Sequence, residues 1–192
     1  MLAVWGDEAT IAHALAFEAA LAKAQAAHGL IPDETAERIA AACETLSVDP
    51  SALAEEAALA GTLAIPLVRR LRAVAGDAVH RGATSQDVAD TVLVIQAREA
   101  TALLIDDCDR LVRALDAIAR RHADTPAIGR TLLQDALPIG WGLRVAHWAA
   151  GIGDATDRLR HEMHHAGIVQ LGGAVGTRAG MDGQGGGTWR RG

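Results

Sequence analysis

Apolar residues early in the chain recur at three- and four-residue steps and are interrupted at short intervals by glycine and proline. That pattern predicts several amphipathic helices joined by short turns. Asp7 is placed to cap a first helix running to about His28, with Ile11, Leu15, Ala19, Ala22 and Ala26 as its buried stripe and Gly29 as its C-terminal stop. A second helix starts near Pro32 and carries Ala36, Ile39, Ala40, Cys43 and Leu46 on one face. Asp49-Pro50 reads as an N-cap followed by proline at the first helical position. Gly61, Pro66 and Gly76 punctuate two further short helices.

The pattern then changes scale. Beyond the polar loop His80-Arg81-Gly82-Ala83-Thr84-Ser85-Gln86-Asp87, helical periodicity continues without glycine or proline to about Ala123, a helix of roughly 55 Å. Leu104, Cys108, Leu111, Leu115 and Ile118 alternate four- and three-residue steps, the seam of a long bundle helix. A helix of that length cannot cover its own seam in a small monomer, which points to a bundle core or to assembly between copies. Residues 124–137 read as a polar connector, and Pro138 as the start of a second long helix through Leu143, Ala146, Ala150, Leu159 and Met163 to about Ala166. After Gln170-Leu171-Gly172-Gly173 the helical pattern is expected to restart at Ala174-Val175-Gly176-Thr177. From Arg178 periodicity vanishes, and residues 178–192 hold six of the chain's 20 glycines, a composition that predicts a disordered tail. The expected fold class is all-α: an N-terminal helical domain over 1–79, the first part of a long-helix bundle over 80–177, and the tail over 178–192.

Composition supports this reading. Half of the 192 residues are hydrophobic, while aromatics make up 3% with no tyrosine and one phenylalanine, so the chain can bury a core but lacks the aromatics that sheets favour. A formal charge of −6 argues against nucleic acid as a partner, because phosphate binding needs a concentrated basic excess. No run reaches the roughly 18 apolar residues of a membrane span, so no membrane partner is expected. The N-terminal stretch has no basic region of the signal-peptide kind. Cys43 and Cys108 lack the spacing of a disulfide framework or a zinc site, and the expected compartment is the cytoplasm.

The best chemical candidate is the loop entering the first long helix. Thr84 and Asp87 match a capping box with a shortened acid. Free backbone N–H groups there, with the Thr84 and Ser85 hydroxyls, suit a carboxylate or phosphate, and His80 stands four residues upstream. The same residues could serve only to cap the helix. In the connector, Arg130, Thr131 and Gln134 offer a guanidinium, a hydroxyl and an amide to an oxygen-rich ligand, the plain alternative being a solvated loop. His161-Glu162-Met163-His164-His165 satisfies the H-E-x-x-H zinc pattern. It lies beside Asp157, Arg158 and Arg160 with no convincing third ligand after it, so it reads as a solvated helix end and no metal site is expected.

The stretch from His80 to Thr91 resembles the first signature region of the fumarase/aspartase superfamily. Gly129-Arg130-Thr131-Leu132-Leu133-Gln134-Asp135-Ala136-Leu137-Pro138 and Gln170-Leu171-Gly172-Gly173-Ala174-Val175-Gly176-Thr177 extend the resemblance, as do Phe17-Glu18-Ala19-Ala20-Leu21-Ala22 and Gly61-Thr62-Leu63-Ala64-Ile65-Pro66-Leu67-Val68, so that it covers about residues 8–177. It implies a helical fold assembled as a homotetramer around long helices, with active sites where signature regions of different subunits meet. It also implies a small di- or tricarboxylate substrate and chemistry without a cofactor: a proton is exchanged next to a carboxylate while a C–O or C–N bond forms or breaks at the neighbouring carbon. By this resemblance Thr84 and Ser85 hold a substrate carboxylate, Arg130, Thr131 and Gln134 help orient it, and His80 is a binder or proton-transfer partner.

The departures carry information too. Leu132 occupies the position where lyase branches such as adenylosuccinate lyase carry a catalytic histidine, which favours the lactone-forming cycloisomerase branch. Arg81 stands where that branch often has an aromatic residue, and Asp135 where histidine or glutamine is expected. The superfamily's mobile G-S-S-x-M-P-x-K-x-N loop, which carries the serine usually assigned as base, is absent from this sequence, and family members run to at least about twice its length. Three expectations result: a C-terminally truncated chain of the cycloisomerase branch, a non-catalytic helical oligomerisation fragment, or, disfavoured by Leu132, another superfamily lyase such as adenylosuccinate lyase.

Overall fold

The computed structural model describes residues 1–178 and Met181; most of the tail expected over 178–192 lies outside the described residues. The chain divides into two compact units, Met1–Ala97 with Ile168–Gly192, and Arg98–Gly167. The described residues form six helices and one two-stranded sheet.

The first unit contains α1 (Asp7–Ala27), α2 (Asp33–Thr45), α3 (Pro50–Ala60), α4 (Ala64–Ala75) and the beginning of α5 (Ser85–Arg121). Ile39, Leu53, Leu67 and Leu71 are fully buried in its core, each contributing about 1.5–3 kcal/mol relative to an exposed position. Asp49 caps α3 by accepting from the Ser51 N–H at 3.1 Å, with Pro50 at the first helical position. Gly61 ends that helix in the left-handed region at φ 76°. The face expected for α2 is the buried one, with Leu46 at its margin.

Helix α1 departs from expectation in two ways. Gly6 is its N-cap and Asp7 its first helical residue, where the carboxylate still faces the positive end of the helix. Its buried face comprises Ile11, Ala14, Leu15, Phe17, Glu18, Leu21, Ala22 and Gln25, leaving Ala19 and Ala26 partly buried. The helix is rotated so that two polar side chains join the core, and both are used by the site.

In the second unit the rest of α5 is followed by β1 (Pro126–Thr131), β2 (Gln134–Gly140) and α6 (Trp141–Ala166). The connector expected to be a loop is an antiparallel hairpin with Ile128 opposite Pro138 and Thr131 opposite Gln134. Its two-residue turn is Leu132-Leu133, both at positive φ (42° and 65°), as a tight hairpin turn of this length demands. Pro138 therefore sits in a strand, and the helix expected to begin there starts at Trp141. The backbones of α5 and α6 meet closely at this point: a Cβ on Gly142 would lie 2.3 Å from the Ala119 carbonyl oxygen.

Residues 167–173 have no regular structure, and residues 174–177 turn instead of restarting a helix. This segment returns to the first unit, where Thr91 Oγ1 accepts from the Gln170 N–H at 3.1 Å and donates to the Gln170 carbonyl at 3.2 Å. Among the described residues no single helix is long and apolar enough to cross a membrane.

Candidate active site

The loop between α4 and α5 is held by side chains from three directions. Arg72 donates from Nε and Nη2 to the Val79 carbonyl at 3.3 and 3.2 Å. Gln25 Nε2 donates to the Arg81 carbonyl at 2.6 Å, and the Arg81 guanidinium donates to the Leu30 carbonyl at 2.8 Å. With both neighbours fixed, His80 is kept at φ 61°, a left-handed conformation that costs a non-glycine residue about 1–3 kcal/mol and persists only where surrounding contacts impose it.

The start of α5 is built around Asp87. Its carboxylate is 1% exposed and accepts from the N–H of Thr84 at 2.9 Å, the backbone half of the capping box expected from sequence. It also accepts from the N–H groups of Gly172 at 2.8 Å and Gly173 at 2.9 Å. Three amide donors compensate a charge that would otherwise be costly to bury. The resemblance-bearing segments at 84–91 and 170–177 are thereby joined through one side chain.

His80 faces a second buried carboxylate. Its Nδ1 lies 2.6 Å from Glu18 Oε1, with the glutamate side chain 1% exposed and the imidazole 13% exposed. With ionised Glu18 as acceptor, the ring proton sits on Nδ1 and Nε2 is the nitrogen left for other partners. Glu18 Oε2 and Gln25 Oε1 are buried and have no hydrogen-bond partner among the described residues. Sequence reasoning did not single out Glu18 or Gln25; the available signal was two polar residues seven apart on an otherwise apolar helix face.

His80, Thr84 and Ser85 come together on the wall of a cavity of about 490 Å³. Arg69 and Arg72 of α4 complete its polar lining, and Ala64, Ile65, Val68 and Ala83 its apolar lining. In the second unit Arg130 and Thr131 line a cavity of about 420 Å³ with Arg144 and His147 among its other walls. Arg130 Nη2 lies 3.8 Å from Asp135 Oδ1, both side chains being largely exposed. Gln134 is exposed on β2 opposite Thr131 and is not part of that lining. The H-E-x-x-H residues are exposed at the end of α6, with the His161 and His165 rings edge to face at 4.6 Å.

The family model described as lyase matches residues 1–185. The chain belongs to the lyase family. It is 45% identical over 188 residues to the 3-carboxy-cis,cis-muconate cycloisomerase of Pseudomonas aeruginosa, a match covering 94% of this chain and 41% of that protein. The N-acetyl-S-(2-succino)cysteine lyase of Enterococcus italicus is 37% identical over 182 residues, covering 93% of this chain and 40% of the relative. Among solved structures, the β-carboxy-cis,cis-muconate cycloisomerase of Acinetobacter calcoaceticus sp. ADP1 superimposes with a TM-score of 0.88 at 37% identity, covering 94% of this chain and 44% of that one. The chain thus spans about two fifths of the length of the curated relatives it matches. The helical fold expected from the fumarase/aspartase resemblance is the fold observed.

Proposed function

We propose that this chain carries the carboxylate-binding part of a cofactor-free cycloisomerase site that closes 3-carboxy-cis,cis-muconate to 4-carboxymuconolactone. The observation that carries the reading is one cavity lined by Thr84 and Ser85, at the start of the 37-residue α5, together with His80. The Thr84 and Ser85 hydroxyls, standing at the positive end of a long helix, favour an anion there. In the reaction an oxygen lone pair of one carboxylate forms a C–O bond to an alkene carbon. The π pair moves to the neighbouring carbon, next to another carboxylate, and a proton is added there. The free acids of reactant and product are isomers; because the attacking carboxylate is ionised, the one proton added at carbon is taken up from solvent, and no other co-reactant is consumed. Charge that builds on the adjacent carboxylate is stabilised by donors already aimed at it, the role assigned to Thr84 and Ser85. His80 is the proton-transfer candidate in this chain, its ring oriented by Glu18 so that Nε2 exchanges the proton.

In the assembled protein, Arg130, Thr131 and Gln134 of one copy orient the substrate held by another copy, and copies meet along the long helices. Leu104, Leu111 and Ile118 of α5 are exposed in the single chain, which supports a homotetramer of the kind the resemblance implies. The free thiols Cys43 and Cys108 suit a cytoplasmic setting. Leu132, following Arg130-Thr131, favours this reading over cleavage of adenylosuccinate.

Calorimetric titration of the 192-residue chain with 3-carboxy-cis,cis-muconate and, separately, with adenylosuccinate tests the proposal. The muconate is expected to bind and adenylosuccinate not to; the reverse preference overturns the reading. The diene ultraviolet absorbance is expected to persist in the bound complex, because the serine-bearing loop motif is absent from the sequence.

A further inference from the structure

Helix α4 carries three arginines within about one turn, Arg69, Arg70 and Arg72, and they are treated differently by the fold. Arg70 is neutralised by Glu56, donating to both carboxylate oxygens at 3.0 and 2.7 Å. Arg72 donates to a neutral carbonyl, that of Val79, and Arg69 has no ion-pair partner among the described residues. Both line the cavity that contains His80, Thr84 and Ser85. In a chain of net charge −6, this cavity has on its walls two guanidiniums without an ion-pair partner among the described residues, while the His80 and helix-start walls are already backed by the buried Glu18 and Asp87 carboxylates. Such a lining holds a positive potential that one bound carboxylate does not exhaust. Ile65 and Val68 supply apolar surface to the same cavity, suited to a short hydrocarbon backbone.

We propose that Arg69 and Arg72 form a second anion subsite, which selects substrates bearing a third carboxylate on an apolar backbone over dicarboxylates. The inference rests on the reading above, in which Thr84 and Ser85 hold one carboxylate. Arg72 reaches the subsite already restrained: Nε and Nη2 are engaged by Val79, leaving Nη1 for the ligand. Arg69, unpaired and one turn away, supplies the charge that a dicarboxylate leaves uncompensated.

The test is calorimetric titration of the full chain, at fixed ionic strength, with benzene-1,3,5-tricarboxylate and benzene-1,3-dicarboxylate, two stable probes differing by one carboxylate. Wild type is expected to prefer the tricarboxylate by about tenfold or more, as one charge-assisted contact allows. Arg69→Gln is expected to collapse that preference while leaving dicarboxylate affinity nearly unchanged, and Arg69→Lys to retain part of it. Circular dichroism accompanies Arg72→Gln, because that change also frees the Val79 carbonyl. Equal affinities in wild type, or a preference untouched by Arg69→Gln, overturn the subsite. If instead the preference depends on Arg69 but Thr84→Ala with Ser85→Ala alters neither affinity, the arginine subsite stands and the helix-start carboxylate site fails.

Discussion

The His80 imidazole is held by Glu18, a fully buried carboxylate 62 residues earlier in the chain, through a 2.6 Å contact at Nδ1. The pairing places a charged residue of the central core helix directly behind a cavity-lining histidine. Glu18→Ala removes the only hydrogen-bond partner of the imidazole among the described residues and leaves a void, so it is expected to destabilise the fold by about 2–4 kcal/mol in urea titrations. Glu18→Gln preserves the volume and separates role from packing. Long-range ¹H–¹⁵N correlations are expected to show the His80 proton on Nδ1 in wild type and a mixed tautomer in the glutamine variant. A tautomer unaffected by the substitution contradicts the orienting role.

Asp87 is expected to act as a clasp between the start of α5 and the returning segment at 170–173. Asp87→Asn keeps the shape but weakens charge-assisted bonds from Thr84, Gly172 and Gly173, for an expected loss of about 2–3 kcal/mol. Hydrogen exchange should locate the effect, with the Gly172 and Gly173 amides losing protection while the interior of α2 stays protected.

Cys43 gives a pH-dependent prediction. Burial first, and the nearby Glu18 charge second, push its thiol up from 9.0 to about 11. The folded state therefore holds the proton more tightly than the unfolded state does. Its contribution is fully present below pH 9.0 and is lost as pH rises through about 11, a total of about 2–3 kcal/mol. The chain has no tyrosine to titrate in the same window. Urea stability is expected to fall between those pH values in wild type and to fall less in Cys43→Ala. Parallel pH profiles for the two proteins contradict the assignment.

The Leu132-Leu133 turn holds two branched side chains at positive φ, both almost wholly exposed. Asn-Gly fits that turn without strain. Leu132→Asn with Leu133→Gly is expected to stabilise the hairpin by about 1–2 kcal/mol, read as slower exchange of the β1 and β2 amides. Faster exchange would show that the leucines contribute more through packing than they cost in strain.

The same turn shows where sequence reading stopped. Helices α2 to α5 follow from apolar spacing with Asp49, Pro50, Gly61 and Gly76 as punctuation, because each signal is local and agrees with the packing the helix finds. The hairpin was illegible because Leu132-Leu133 carries no glycine or asparagine, and because Pro138 reads as a helix start when its strand partner, Ile128, is unknown. Asp87 was legible as a cap but not as a clasp, since Gly172 and Gly173 are 85 and 86 residues away. His80, Thr84 and Ser85 are legible together because they share one loop. Glu18, Arg69 and Arg72 are not, because their bearing on that loop exists only after α1 and α4 have packed.

The carboxylate site at the start of α5 is tested most directly by calorimetric titration of 3-carboxy-cis,cis-muconate into the wild-type chain and into Thr84→Ala with Ser85→Ala. Saturable binding in wild type and its loss in the double variant, with circular dichroism unchanged, is the expected result. No binding in wild type, or the same affinity in both proteins, contradicts it.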